Sequence, residues 1–96
     1  MAQIQRFDIQ PNPMVPGRPV TGRLYVENPA AVASAKMWDP RGHELRFQRV
    51  EESGQTAFVL REDVPADADS GLYYATLVVT ETDGNVERKT VELRVA

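Results

Sequence analysis

The sequence predicts an all-β fold, a seven-stranded and mainly antiparallel β-sandwich formed by one domain over residues 1–96. Turn signals recur at short intervals, and no stretch holds a helical apolar period long enough for a confident helix. Thr82-Asp83-Gly84-Asn85 joins two alternating segments, and Asp-Gly in that setting is a strong hairpin signal because glycine takes up positive φ without steric cost. Ahead of it stands Asp69-Ser70-Gly71-Leu72-Tyr73-Tyr74-Ala75. This is the spacing of a sandwich corner, in which a Tyr two residues after Gly returns its hydroxyl to the backbone of the turn.

Taken in order, a first strand is expected over Ile4 to Ile9. The segment from Pro11 to Pro19 ends it, since four prolines remove four amide donors. That segment reads as an extended loop guarding one sheet edge, in preference to a polyproline ligand. Strand two runs from Val20 to Val26, with Val20, Gly22, Leu24 and Val26 on one face and Thr21, Arg23, Tyr25 and Glu27 on the other. Period two with a polar side indicates one wet face. Asn28-Pro29 turns into Val32 to Trp38, which Asp39-Pro40-Arg41-Gly42 closes. A strand from Glu44 to Val50 carries Leu45 and Phe47 on one side, Ser53-Gly54 reverses the chain, and Thr56 to Leu60 alternates Phe58 and Leu60 with Ala57 and Val59. Leu72 to Thr80 and Val86 to Val95 form the last and longest pair.

Composition limits the functional classes. There is no Cys, so neither a disulfide nor a thiolate nucleophile or metal ligand is available and the apolar core alone must supply stability. A formal charge of −3, with interspersed charges, argues against nucleic acid, which requires a concentrated positive field. Nine of the eleven basic residues are Arg, without the clustering that an anion site needs. No apolar run approaches a membrane span, so membrane insertion is not expected. The stretch from Met1 to Arg6 lacks the apolar core of a signal peptide. A cytoplasmic protein and a segment of a larger exported chain both fit.

No catalytic constellation is visible, and the expectation is a protein without enzymatic activity or cofactor. His43 is the only His and sits beside a Gly turn, which makes a two-His metal site or a Ser-His pair with a second base hard to build, and it reads as a solvated loop residue. Asp63, Asp67 and Asp69, with Asp83, offer oxygen ligands to calcium, but they lack the spacing of a dedicated loop and Asp is a common turn former. Lys36 and Lys89 are the only lysines and both read as solvated, which argues against an internal isopeptide bond.

Alternation instead singles out a surface. Met37 is favoured inward and Trp38 outward, because an inward Trp38 would take Lys36 into the core with it. A bulge in that strand would restore the opposite reading. With Tyr73 inward, Ala75, Leu77 and Val79 face the core while Leu72, Tyr74, Thr76 and Val78 face out. Trp38, Leu72, Tyr74 and Val78, beside Arg88 and Arg94, therefore make a candidate binding face for a protein or a sugar ring. The alternative leaves Tyr74 covering its own cross-strand neighbours, with Trp38 in the core.

Pro-Gly before strand two, Asp39-Pro40-Arg41-Gly42, the corner from Pro65 through Gly71-Leu72-Tyr73 and the Asp83-Gly84-Asn85 hairpin together resemble bacterial immunoglobulin-like or fibronectin-type modules of surface, secreted and phage structural proteins. The resemblance covers nearly the whole chain from Pro16. It departs from antibody domains where Leu24 and Ala75 stand near the positions of their Cys pair. It implies an immunoglobulin-like β-sandwich serving adhesion, spacing, virion decoration, or protein or glycan contact. A regulatory domain cut from a larger enzyme is the alternative, and symmetric pairing of the first or last strand would give a homodimer.

Overall fold

The computed structural model describes residues 3–96. Eight strands are present among them: β1 (Ile4–Gln10), β2 (Pro19–Val26), β3 (Val32–Trp38), β4 (Glu44–Arg46), β5 (Gln48–Glu52), β6 (Gln55–Asp63), β7 (Gly71–Glu81) and β8 (Val86–Val95). They form two four-stranded sheets, ordered β1-β2-β6-β5 and β4-β3-β7-β8, with every adjacent pair antiparallel. The two inner faces meet in a core that includes Leu24, Met37, Phe58, Leu60, Leu77, Val79 and Leu93. A short 3-10 turn, Pro29–Ala31, leads into β3.

The expected all-β sandwich is therefore present, with one more strand than predicted. The segment from Glu44 to Val50 changes sheets at Phe47. On one side Leu45 pairs with Met37 of β3, and on the other Gln48 pairs with Val59 of β6. Phe47 donates its amide to the Ala35 carbonyl at 3.0 Å and buries its ring between the sheets. A large apolar side chain at the crossing lets one segment stitch both layers along this side of the sandwich.

Two local patterns also differ from strict alternation. A register shift between Val32 and Ser34 turns Val32 inward together with Ala35, so Val32 does not share the outer face with Trp38. In β6 the whole run from Ala57 to Leu60 is buried. Phe58 and Leu60 pack in the core, whereas Ala57 and Val59 lie on the outer face of a central strand. The Arg23 side chain of β2 reaches over β6 to Glu52 of β5, with Nε–Oε1 at 3.1 Å. Its aliphatic stem shields the small residues beneath.

The proline segment carries the chain from the edge of the first sheet to the edge of the second. Buried Met14 bridges Val95 in parallel: its amide donates to the Arg94 carbonyl at 2.7 Å, and its carbonyl accepts the Ala96 amide at 2.8 Å. Farther along this open side, Glu87 crosses between sheets to accept the Ile4 amide at 2.7 Å. The corner also forms as its spacing predicts, with the Tyr73 hydroxyl donating to the Asp69 carbonyl at 2.7 Å.

Candidate functional site

The outer face of the β4-β3-β7-β8 sheet can be read row by row from its register. Glu44, Trp38, Thr76 and Thr90 form one row across the four strands. Tyr74 with Glu92, and then Leu72 with Arg94, continue it toward the corner. In the other direction come Arg46, Lys36, Val78 and Arg88, followed by Ser34, Thr80 and Val86. All six residues of the candidate face thus lie on one surface. Trp38 and Tyr74 are diagonal neighbours on adjacent strands, about 7–8 Å apart and within reach of a single flat ligand.

The apolar members are accessible. Trp38 is 42% exposed, Leu72 45% and Tyr74 55%, while Val78 is half-buried between Lys36 and Arg88. The outward Trp38 agrees with the reading that kept Lys36 out of the core. Val86, 47% exposed, extends the same face and was missed in the sequence. Its even spacing from Arg88 and Arg94 was the available signal. Among the described residues the Trp38 and Tyr74 rings do not stack on one another; the ring pair present is Phe7 with Phe47 in the core.

Charge on this face is unevenly satisfied. Glu44 takes Lys36 Nζ at 3.1 Å and Arg46 Nε at 3.7 Å. Arg88, Arg94 and Glu92 form no ion pair among the described residues. Four cations against two carboxylates leave the surface net positive. Open rings and two available guanidiniums suit stacking plus bidentate hydrogen bonding to an acceptor-rich partner.

On the outer face of the other sheet, several charged groups engage one another. Arg6 pairs with Asp8 at 2.8 Å and lies over the Tyr25 ring at 4.4 Å. The hydrogen bond from Arg23, with its positive charge, holds the Glu52 carboxyl below the usual carboxylate range, and the same bond raises the Arg23 guanidinium. On the core side of β5, Arg49 donates to the Pro29 and Val32 carbonyls at 2.9 and 3.0 Å. These groups bind one another.

The remaining candidates divide between the two ends of the sandwich, with Asp63, Asp67 and Asp69 near one end and Asp83 at the other. His43 is exposed, and its amide donates to Asp39 Oδ1 at 2.7 Å as part of a turn. Asp67 pairs with Arg41 at 3.3 Å. Asp83 instead caps the opposite hairpin by accepting the Asn85 amide at 2.9 Å. The length of β7, about 3.3 Å per residue, separates it from Asp69 by more than about 30 Å. The four aspartates cannot share one calcium ion, and no group of three or more His, Asp or Glu suited to a metal occurs among the described residues.

No protein-family model matches the chain, and no curated protein matches it in sequence. Solved structures do. The chain is similar to a DUF4426 family protein from Pseudomonas aeruginosa, with 12% identity, a TM-score of 0.60, and 96% of this chain and 94% of that one covered. It is also similar to CopC from Methylosinus trichosporium OB3b, at 20% identity and TM-score 0.49, covering 99% and 93% of the two chains. A third match is the SGBP-B of the Bacteroides ovatus mixed-linkage glucan utilization locus, solved with a mixed-linkage heptasaccharide, at 23% identity and TM-score 0.46. There the match covers 86% of this chain and only 19% of that chain. At 12% identity the likeness to the DUF4426 family protein concerns architecture alone: the protein is a small all-β sandwich.

Proposed function

We propose that the protein is a non-enzymatic binding module of immunoglobulin-like type, serving a bacterial surface or phage assembly and holding a protein or glycan partner on the outer face of the β4-β3-β7-β8 sheet. The observation that carries this reading is the open strip of Trp38, Tyr74 and Leu72 beside Arg88 and Arg94, which form no ion pair among the described residues. Large aromatic anchors flanked by guanidiniums are the usual hot spots of interfaces, and ring faces stack on the apolar faces of sugars. The Tyr73 corner supports the immunoglobulin-like assignment.

Trp38 is the only Trp in the chain, so its emission reports on the face directly. In the free protein it should be red-shifted and accessible to acrylamide. Titration with neutral and acidic soluble polysaccharides, and with purified surface or virion proteins of the source organism, should blue-shift and protect it for the true partner. Tyr74→Ala should then weaken that partner at least about tenfold, the equivalent of 1.4 kcal/mol. Unchanged affinity in Tyr74→Ala and Trp38→Ala variants that fold normally would overturn the assignment of this face.

A further inference from the structure

The two sheets do not close completely at the end bounded by the Asp39–Arg41 turn and the Glu62–Asp69 segment. A void of about 200 Å³ remains there. Its walls are apolar, with Met14, Val20, Met37, Leu60, Val64 and Leu93 among the lining residues. Native cores seldom leave spaces much larger than a water molecule, and an apolar cavity of about 150 Å³ suffices to stay dry and bind benzene. This void has room for an aromatic ring or short alkyl body, and it opens to solvent.

Charge at the opening distinguishes which apolar body fits. Asp39, Glu62, Asp63, Asp67 and Asp69 line it, against Arg41 as the only cation in the lining. The formal charge there is −4, whereas the entire chain carries −3, so everything else nets +1. Arg41 is already held by Asp67 at 3.3 Å, and Asp39 is occupied by the Arg41 and His43 amides. Glu62, Asp63 and Asp69 keep carboxylates without ion pairs among the described residues. An apolar interior beneath unpaired carboxylates complements a molecule with an apolar body and a cationic head.

We propose that this inter-sheet cavity is a second binding site, separate from the outer face, for a small free organic cation, an aryl- or alkyl-amine of about ten non-hydrogen atoms. The body enters between Met14, Val20 and Leu60, and the ammonium remains at the opening, where Glu62, Asp63 and Asp69 attract it. Anions of the same shape are repelled by the same carboxylates.

Three probes that share a phenyl ring test this by calorimetry and by amide chemical-shift mapping of the full chain: 2-phenylethylamine, 3-phenylpropionate and toluene. Phenylethylamine should bind at least about tenfold more tightly than phenylpropionate, with a preference that shrinks as salt rises. Shifts should centre on Met14, Leu60 and Val64. The triple variant Glu62→Gln, Asp63→Asn, Asp69→Asn alters only exposed side chains; it should lose the preference while still admitting toluene. Ala68→Leu, which puts more bulk against the cavity wall, should exclude all three probes. Equal affinity for amine and acid, toluene binding as tightly as the amine, or no amine binding at millimolar concentration would each overturn the proposal. So would amine binding that maps to Trp38 and Tyr74 instead of the cavity.

Discussion

Single residues fix two local features of the fold. The Tyr73 hydroxyl donates to the Asp69 carbonyl at 2.7 Å and pins the start of β7 to the preceding turn. Tyr73→Phe keeps the ring and removes only this donor, so it should destabilise by about 1 kcal/mol. Urea denaturation measures it, and an unchanged midpoint would mean that the ring alone holds the corner. Gly22 is needed for close approach: a Cβ there would lie 3.1 and 3.2 Å from Phe7 ring carbons. Phe7 is in turn set edge-on against Phe47, with centroids 6.2 Å apart and ring planes at 83°. Gly22→Ala should therefore cost about 1 kcal/mol through overpacking, and adding Phe7→Leu should recover part of the loss. A neutral Gly22→Ala would show that the Phe7 ring yields freely.

At the scale of the elements, Phe47 holds the segment that passes from one sheet to the other. Phe47→Ala should cost about 3–5 kcal/mol, a large share of the about 5–15 kcal/mol typical of a domain. Circular dichroism melts would show a lower, broader transition, and an unchanged melting temperature would deny the crossing this role. The Arg23–Glu52 pair links β2 to β5 over β6, and its carboxyl titrates below the usual range in the folded chain. A depressed folded value means that the unfolded chain takes up the proton first as pH falls. The contribution is thus complete above the ordinary carboxylate range and is lost as pH drops through the folded value. The melting-temperature gap between wild type and Glu52→Gln should be constant near neutrality and close under acid conditions; a gap independent of pH would exclude this linkage. Both features were hard to see in the sequence. No Gly, Pro or Asn marks Phe47 as a break, because the chain changes partners while staying extended. Alternation sets Ala57 and Val59 on the face opposite Phe58 and Leu60 but gives no sign of their burial, because their cover comes from residues 23 and 52. The hairpin at Asp83-Gly84, the Tyr73 corner and the inward Ala75, Leu77 and Val79 were legible because neighbouring residues alone determine them. Alternation likewise placed Trp38 and Tyr74 outward, but it gave no sign of the cavity, which exists only where Met14, Leu60 and Leu93 converge from distant parts of the chain.

For the molecule as a whole, a two-sheet sandwich leaves four edge strands, and each edge is a template for unwanted pairing. β4 has only three residues, β5 is mostly charged, and β1 has an irregular register between Ile4 and Arg6. β8 is the exposed risk, since over its ten residues the Met14 bridge at its end is the only backbone pairing on its outer edge among the described residues. Its protection comes from charge on the core-facing side. Lys89 stands opposite the fully buried Leu77, and Glu87 stands opposite Val79. A strand added beside β8 would enclose the Lys89 ammonium against the core without a partner, at a desolvation cost that disfavours association. The wild-type chain should therefore sediment as a monomer across micromolar concentrations. Lys89→Val removes the buried-charge penalty while supplying a good strand former, and it should shift sedimentation toward dimers or larger species as concentration rises. Lys89→Glu retains a charge at the same position and should stay monomeric. Association of wild type and Lys89→Glu to the same extent as Lys89→Val would show that the β8 edge is held apart by something other than this inward charge.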